Sequence, residues 1–421
     1  MWLVNPLQIL AAIVVDQVIG DPHGCPHIAR CSGALSTFYE KWLTRYFPRS
    51  ILLGLLFWFL VVGTTVGGYV AARFVCSLIN PILSSVLDIL VIYQAIAAKD
   101  LHHHAKMVMQ ALVSGDLGMA RARLSFMVGR DTRDLDASEI SRATIESVAE
   151  SLVDGMVAPL FWAVIGGAAG ALIYRTANTL DSMVGHRTPA YERFGKASAI
   201  IDDLLNWAPA RLCALLICLF HVRTDLPKVW REAGAHASPN AGWPEAAMAY
   251  ALGVRLGGTN FYDGVPIQGP IFNVSGRVAG VGDIKISLSR IWWVVLAAGG
   301  ACLLLALILP AERKGNHPSL DSVNANRSDF APQGLEDSAR GFNPWLPDKD
   351  CPALKGRQSQ CLEFVGSGQT NRRSRISSAS SGRIILWVPS QGLKPLADSW
   401  SPFGTKIAIL LIDHEHRTST S

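Results

Sequence analysis

The stretch ILLGLLFWFLVVGTTVGGYVAA, residues 51–72, carries no charged side chain and runs up to Arg73. About 20 apolar residues suffice to carry a helix across a bilayer. Within lipid a helix is one of only two backbone forms that satisfy their own hydrogen bonds. The stretch therefore predicts a transmembrane helix, and the sequence around it agrees. Residues 81–98 form a second candidate span with Asp88 inside it, and residues 291–310 a final one. Residues 3–19 are apolar but barely long enough to cross, with Asp16 near their end. Half of the chain is hydrophobic, only 17% is charged, and mean hydropathy is +0.26. Together these predict an all-α, polytopic integral membrane protein rather than a string of soluble domains.

The net charge of +5 is spread over several loops and gives no case for nucleic acid. The eight cysteines show no CxxC spacing, so neither a disulfide framework nor a zinc site is expected. No basic region precedes the first apolar run, which predicts an uncleaved first membrane segment. Lys41, Arg45 and Arg49 place positive charge before the 51–72 helix, as a cytoplasmic loop would.

Residues 20–31 read as a turn-rich loop displaying Asp21, His23 and His27, equally consistent with a polar interfacial loop. Residues 99–138 are hydrophilic. His102, His103 and His104 splay too widely on a helix to share one metal and are expected to form a solvated face. Asp116 is positioned to cap a short helix over 117–128.

The chemistry concentrates between Gly129 and Arg211. Asp136 and Glu139 have capping-box-like spacing and predict a helix start. On that helix Glu146, Glu150 and Asp154 advance by about 40° at each step and share one face. Carboxylates so placed repel one another unless a cation joins them, and Mg²⁺ with retained waters suits oxygen ligands and phosphates. The competing interpretation is a solvated acidic face. Residues 158–174, with Gly166, Gly167 and Gly170, and residues 208–221, with Arg211, are apolar but short. Were both to cross, the polar motifs on either side would face opposite compartments. Re-entrant or protein-buried segments are therefore expected.

Asp181 lies between these runs. Asp202 and Asn206 are four apart on one helix face, with Asp203 one step round. Arg187 and Arg211 are of the type that grips phosphate, or that anchors a loop at the membrane surface. Further on, 238-SPNAG-242 reads as a turn before a helix starting near Pro244. Gly257–Gly258 is expected to stop that helix, with Arg255 and Asn260 flanking the stop and placed to meet an anionic ligand. From residue 311 to 421 Ser, Arg, Asn, Gly and Pro dominate, which predicts a disordered or non-homologous tail after a membrane-embedded domain over 1–310.

The ordered set GDPHGCPH (20–27), GRDTRDLD (129–136), IESVAESLVDGMVAPLFW (145–162), NTLDSMVGHR (178–187), FGKASAIIDDLLNWAPAR (194–211) and SPNAGWPEAAMAYALGVRLGG (238–258) resembles the CobD/CbiB family of adenosylcobinamide-phosphate synthases. Each motif alone is weak; their order is specific. Ser151 stands where the family has Asn, which keeps a donor and an acceptor, and Ile28 where it has Pro.

The resemblance implies a multi-pass enzyme of the inner membrane with its site towards the cytoplasm. It implies ATP- and Mg²⁺-dependent joining of adenosylcobyric acid to aminopropanol or its phosphate, and a possible association with other membrane enzymes of the pathway. On this basis Glu146, Glu150, Asp154, Asp181, Asp21 and His27 are expected in catalysis. Arg130, Asn178, Arg187, Lys196, Asn206, Arg211 and Asn240 are expected to hold substrate or phosphate. Asp202, Asp203 and Glu150 are expected to hold metal. No Walker A loop is present, so the ATP expectation rests on the family alone. The rival functions are a transporter or receptor for a corrinoid or other anion, and a structural membrane protein whose charges simply pair.

Overall fold

The computed structural model describes residues 5–21, 27–186, 188–220, 225–308, 399–400 and 406–407. The chain divides into two units, Met1–Ala311 with Leu396–Ser421, and Glu312–Pro395; the second lies outside the described residues. Among the described residues up to 308 the chain forms twelve α-helices and one β-hairpin. The 51–72 stretch becomes α3, Ile51–Ile79, capped by the Ser50 hydroxyl on the Leu53 amide. It continues past Arg73 because that guanidinium has a partner in α4, Pro81–Ala95. Arg73 Nε donates to Asp88 Oδ1 at 2.9 Å, and the Tyr69 hydroxyl donates to the same oxygen at 2.6 Å. Charge is tolerated between apolar helices when it is paired in this way. Leu52, Phe59 and Leu78 on α3 point outward, as side chains facing lipid tails do.

Helix α1, Pro6–Ile19, packs on α4 and on α12, Val281–Ile308. The hydrophilic 99–138 segment proves more structured than its composition indicates. Leu101, Ala105, Val108 and Leu112 form one buried stripe on α5, Ala98–Val113, which lies against α12. The His102 ring rests on Trp292 while His103 is exposed. Asp116 caps α6, Leu117–Leu124, which ends four residues earlier than the sequence predicts. Helix α2, Ile28–Tyr46, begins inside the expected 20–31 loop, with His27 Nδ1 accepting the Ala29 amide. Residues 22–26 of that loop lie outside the described residues.

Four helical stretches are long and apolar enough to cross a membrane: Ile51–Ile79, Pro81–Val113, Ala137–Val184 and Val281–Ala301. This is the make-up of a multi-pass membrane protein. The third is not a straight rod. Helix α7, Ala137–Leu152, passes through a π-turn, Val153–Val157, into α8, Ala158–Val184. At Gly167 the backbone takes φ 61° and ψ −151°, a conformation essentially reserved for glycine. The chain reverses there. A Cβ at Gly170 would collide with the Trp162 carbonyl, so the two arms pack closely. The Tyr174 hydroxyl reaches Asp154 Oδ1 at 3.2 Å. Residues 158–166 rise only about 13 Å as helix, less than half of a hydrocarbon core of about 30 Å. Residues 158–184 thus fold back on themselves at Gly167, the shape that a re-entrant segment would have.

The main core lies among α1, α4, α5, α7, α8, α9 (Lys196–Leu219), α11 (Gly242–Leu252) and α12. A smaller one, around Phe57, Val61, Leu180 and Phe194, joins α2 and α3 to the returning arm of α8. The all-α expectation requires one addition. Strands β1, Leu256–Tyr262, and β2, Val265–Phe272, form an antiparallel hairpin turning at Asp263–Gly264, with φ of 50° and 78°. Helix α11 stops at Gly253 rather than at Gly257–Gly258, which lie in β1.

Candidate active site

Helix α7 starts where Asp136 Oδ1 accepts the Glu139 amide at 2.8 Å, which sets the phase of everything after it. Glu146, Glu150 and Asp154 then fall on one face, and all three line the same cavity. Their environments differ. Glu146 is 5% exposed and fully engaged: Oε2 accepts Arg130 Nη2 at 2.5 Å, while Oε1 accepts Arg142 Nη1 at 3.1 Å and the Gly257 amide at 2.7 Å. Arg142 also donates to the Gly257 carbonyl, and Arg130 and Arg142 both reach Asn260 Oδ1. Glu146 thereby joins the 129–131 segment, α7 and the β-hairpin. Glu150 makes no hydrogen bond or ion pair with a described residue and is exposed to the cavity. Asp154 sits in the π-turn, where an extra residue per turn swells the helix.

The returning arm of α8 and helix α9 build the opposite wall. The Tyr174 hydroxyl donates to Asn206 Oδ1 at 2.9 Å as well as to Asp154. Asn206 Nδ2 donates to Asp202 Oδ2 at 3.0 Å, and Asn178 Nδ2 to Asp202 Oδ1 at 3.4 Å. Asn240 Nδ2 donates to the Asp203 carbonyl at 2.8 Å, fastening the segment before α11 to α9. The Trp162 indole donates to the Leu205 carbonyl at 3.0 Å, tying the entering arm to the same helix.

Between these walls lies a cavity of about 650 Å³. Its lining brings together Arg130, Glu146, Glu150, Asp154, Asn178, Asp181, Asp202, Asp203, Asn206 and Asn240, ten of the residues singled out from sequence. Four others stand elsewhere. Arg211 lies nine residues after Asp202, about 180° round the helix, and stacks between Trp207 and Trp243 at 4.3 and 4.5 Å. Lys196 is the exposed first residue of α9. Asp21 and His27 face each other at 3.6 Å at the start of α2 and do not line the cavity. Burial and the Arg175 charge lower His27 to about 4, so the ring is neutral at ordinary pH. Arg187 lies outside the described residues.

Glu245 and His236, not expected from the sequence, also line the cavity, as does Asn260, which was expected to flank Gly257–Gly258 and meet an anionic ligand. The hairpin had a signal in Asp263–Gly264 between two β-prone runs. Glu245, a single acid in an alanine-rich helix, had none.

The lining is rich in carboxylates, and its described arginine is bound to Glu146 and Asn260. Burial raises the Asp202 carboxyl well above the ordinary range, and the Asp154 and Asp181 charges add to it. Among the described residues no three His, Cys, Asp or Glu side chains stand close enough to form a metal cluster. The expected Glu150, Asp202 and Asp203 set is therefore not a preassembled cage. Mg²⁺ needs none when it arrives with phosphates and keeps its waters, using one or two carboxylates. Among the described residues Glu150 has no bonded partner and no lysine or arginine lines the wall at Asp202, an arrangement that fits such an ion.

Residues 9–291 match the family model described as CobD/Cbib protein. A Geobacter metallireducens protein named "Cobalamin biosynthesis protein CobD" is 42% identical over 308 residues, covering 71% of this chain and 94% of that one. "Cobalamin biosynthesis protein CbiB" of Salmonella typhimurium is 38% identical over 310 residues, 72% of this chain and 95% of that one. No solved structure matches the chain. With the family model covering most of the chain and relatives aligned over nearly their whole length, the chain belongs to the CobD/CbiB family.

Proposed function

We propose that this protein is an enzyme of cobalamin biosynthesis that joins adenosylcobyric acid to aminopropanol or its phosphate in an ATP-dependent amide ligation. The observation that carries it is the cavity itself. Acids from α7 and the π-turn, from the returning arm of α8 and from α9 converge there, with no matching set of bases among the described residues. Such a lining suits a divalent ion bound with polyphosphate.

Mg²⁺ and ATP, when bound, supply the phosphoryl group that makes a carboxylate susceptible to an amine. Glu150, Asp202 and Asp203 hold the ion. Asp154 and Asp181 stand close enough in charge to influence one another and Asp202, and one of them accepts the proton that the amine loses. Arg130, fixed by Glu146 and Asn260, presents a guanidinium to phosphate. Asn178, Asn206 and Asn240 orient the carboxylates and the substrate. The site faces the cytoplasm of the inner membrane, where ATP is available.

Membranes containing the full chain, given the corrinoid acid, the amine, ATP and Mg²⁺, should yield a corrinoid heavier by the amine less one water. Corrinoid that crosses the membrane with its mass unchanged would instead support a transporter.

A further inference from the structure

Glu245 stands on α11 among Ala246, Ala247 and Ala249, all buried. It is 8% exposed, more than nine-tenths buried, and the surface it retains lines the cavity. No hydrogen bond or ion pair joins it to a described residue. The arginines on its side of the cavity are committed elsewhere. Arg130 holds Glu146 and Asn260, and Arg142 holds Glu139, Glu146 and the hairpin carbonyls. A carboxylate removed from water without a partner is strongly disfavoured. Burial raises the Glu245 carboxyl well above its usual range, with the Glu146 and Glu150 charges adding to it and Arg130 and Arg142 only partly opposing it. Among the described residues no cationic side chain is bonded to Glu245, and a cationic ligand would complete this wall.

The chemistry of the wall selects the kind of cation. A magnesium ion calls for several oxygen ligands and ordered water, which the Asp202, Asn206 and Asn178 side offers. Ala241 and Pro244, four residues and one residue before Glu245, line the cavity on the same segment, and Met127 and Val128 also belong to its lining. One carboxylate against small apolar surface fits a single ammonium on a short aliphatic chain. We propose that Glu245 is the ammonium-binding residue of the cavity, holding the primary amine of a short aliphatic substrate. This rests on the ligation reading above and assigns the amine to the α11 wall and the metal–phosphate to the α9 wall.

The test is amide synthesis by the full chain in membranes, with aminopropanol and ATP varied in turn. Glu245→Gln should raise KM for the amine about tenfold or more, the loss expected of a charge-assisted hydrogen bond, and leave KM for ATP unchanged. Equal changes in both constants, or no change in either, would overturn the assignment. A binding measurement needs no turnover: aminopropanol should raise the unfolding temperature of the purified wild type, whereas propan-2-ol should not. Glu245→Gln should abolish that difference; its persistence overturns the proposal. If the Gln variant does not fold, Glu245→Asp keeps the charge one carbon shorter and should still raise KM for the amine selectively. An unchanged amine KM in that variant counts against the assignment. Should the wild type form no amide while Glu245-dependent stabilisation by the amine persists, the ligation reading fails and the ammonium site stands.

Discussion

The Tyr174 hydroxyl lies 3.2 Å from Asp154 Oδ1, although twenty positions of helix separate the two residues. A straight helix would hold them about 30 Å apart. The reversal at Gly167 removes that separation and places the acids of α7 opposite those of α8 and α9. Gly167→Ala puts a Cβ into a conformation that only glycine adopts readily, and should destabilise the hairpin by about 1–3 kcal/mol. Thermal unfolding in detergent should show the drop, with synthesis falling alongside it.

Glu146 and Glu150 occupy successive steps on one face and should respond differently to the same change. Glu146→Gln removes the charge that holds Arg130 and Arg142, and breaking a buried pair costs about 3–5 kcal/mol. A large fall in unfolding temperature is expected. Glu150 has no bonded partner among the described residues, so Glu150→Gln should leave the unfolding temperature close to wild type.

Loss of catalysis should separate from loss of folding at two positions. Glu150→Gln and Asp202→Asn should each reduce synthesis by about 100-fold or more, the scale of a missing acid–base or metal-binding group, with membrane insertion unaffected. Near-normal turnover in either variant removes that residue from the site.

Arg211 and Lys196 should prove dispensable for phosphate binding, since neither lines the cavity. Arg211→Gln should leave KM for ATP unchanged and lower stability modestly, because the guanidinium sits between Trp207 and Trp243.

Deleting the residues after Gly315 should leave synthesis intact. The family match ends at residue 291, and near-complete alignment with the Geobacter metallireducens relative uses only 71% of this chain. Activity lost on truncation would assign the tail a role.

Features set by local periodicity were legible in the sequence. Glu146, Glu150 and Asp154 share a face because four-residue steps on a helix always do, and Asp202 with Asn206 follows the same rule. That rule also turns Arg211 away from Asp202, a consequence the phosphate expectation overlooked. Features set by tertiary contact were not legible. That Glu146 would be neutralised by Arg130 and Arg142 depends on the β-hairpin lying over α7. Gly166–Gly167 fits close helix packing as well as it fits a reversal, and only the backbone angles distinguish the two. The 51–72 helix was evident, yet its extension to Ile79 depends on Asp88 meeting Arg73 from another helix.

Acids from before and after the apolar hairpin share one cavity, which should open on one side of the membrane. Ser151 and Ser182 both line that cavity, one on α7 before the apolar hairpin and one on its returning arm. Ser151→Cys and Ser182→Cys, each introduced into a chain without its native cysteines, can be labelled with a membrane-impermeant thiol reagent in sealed vesicles of known orientation. Labelling of both from the same face is the predicted result. Labelling from opposite faces would mean that residues 158–184 cross the bilayer, and would contradict the single site.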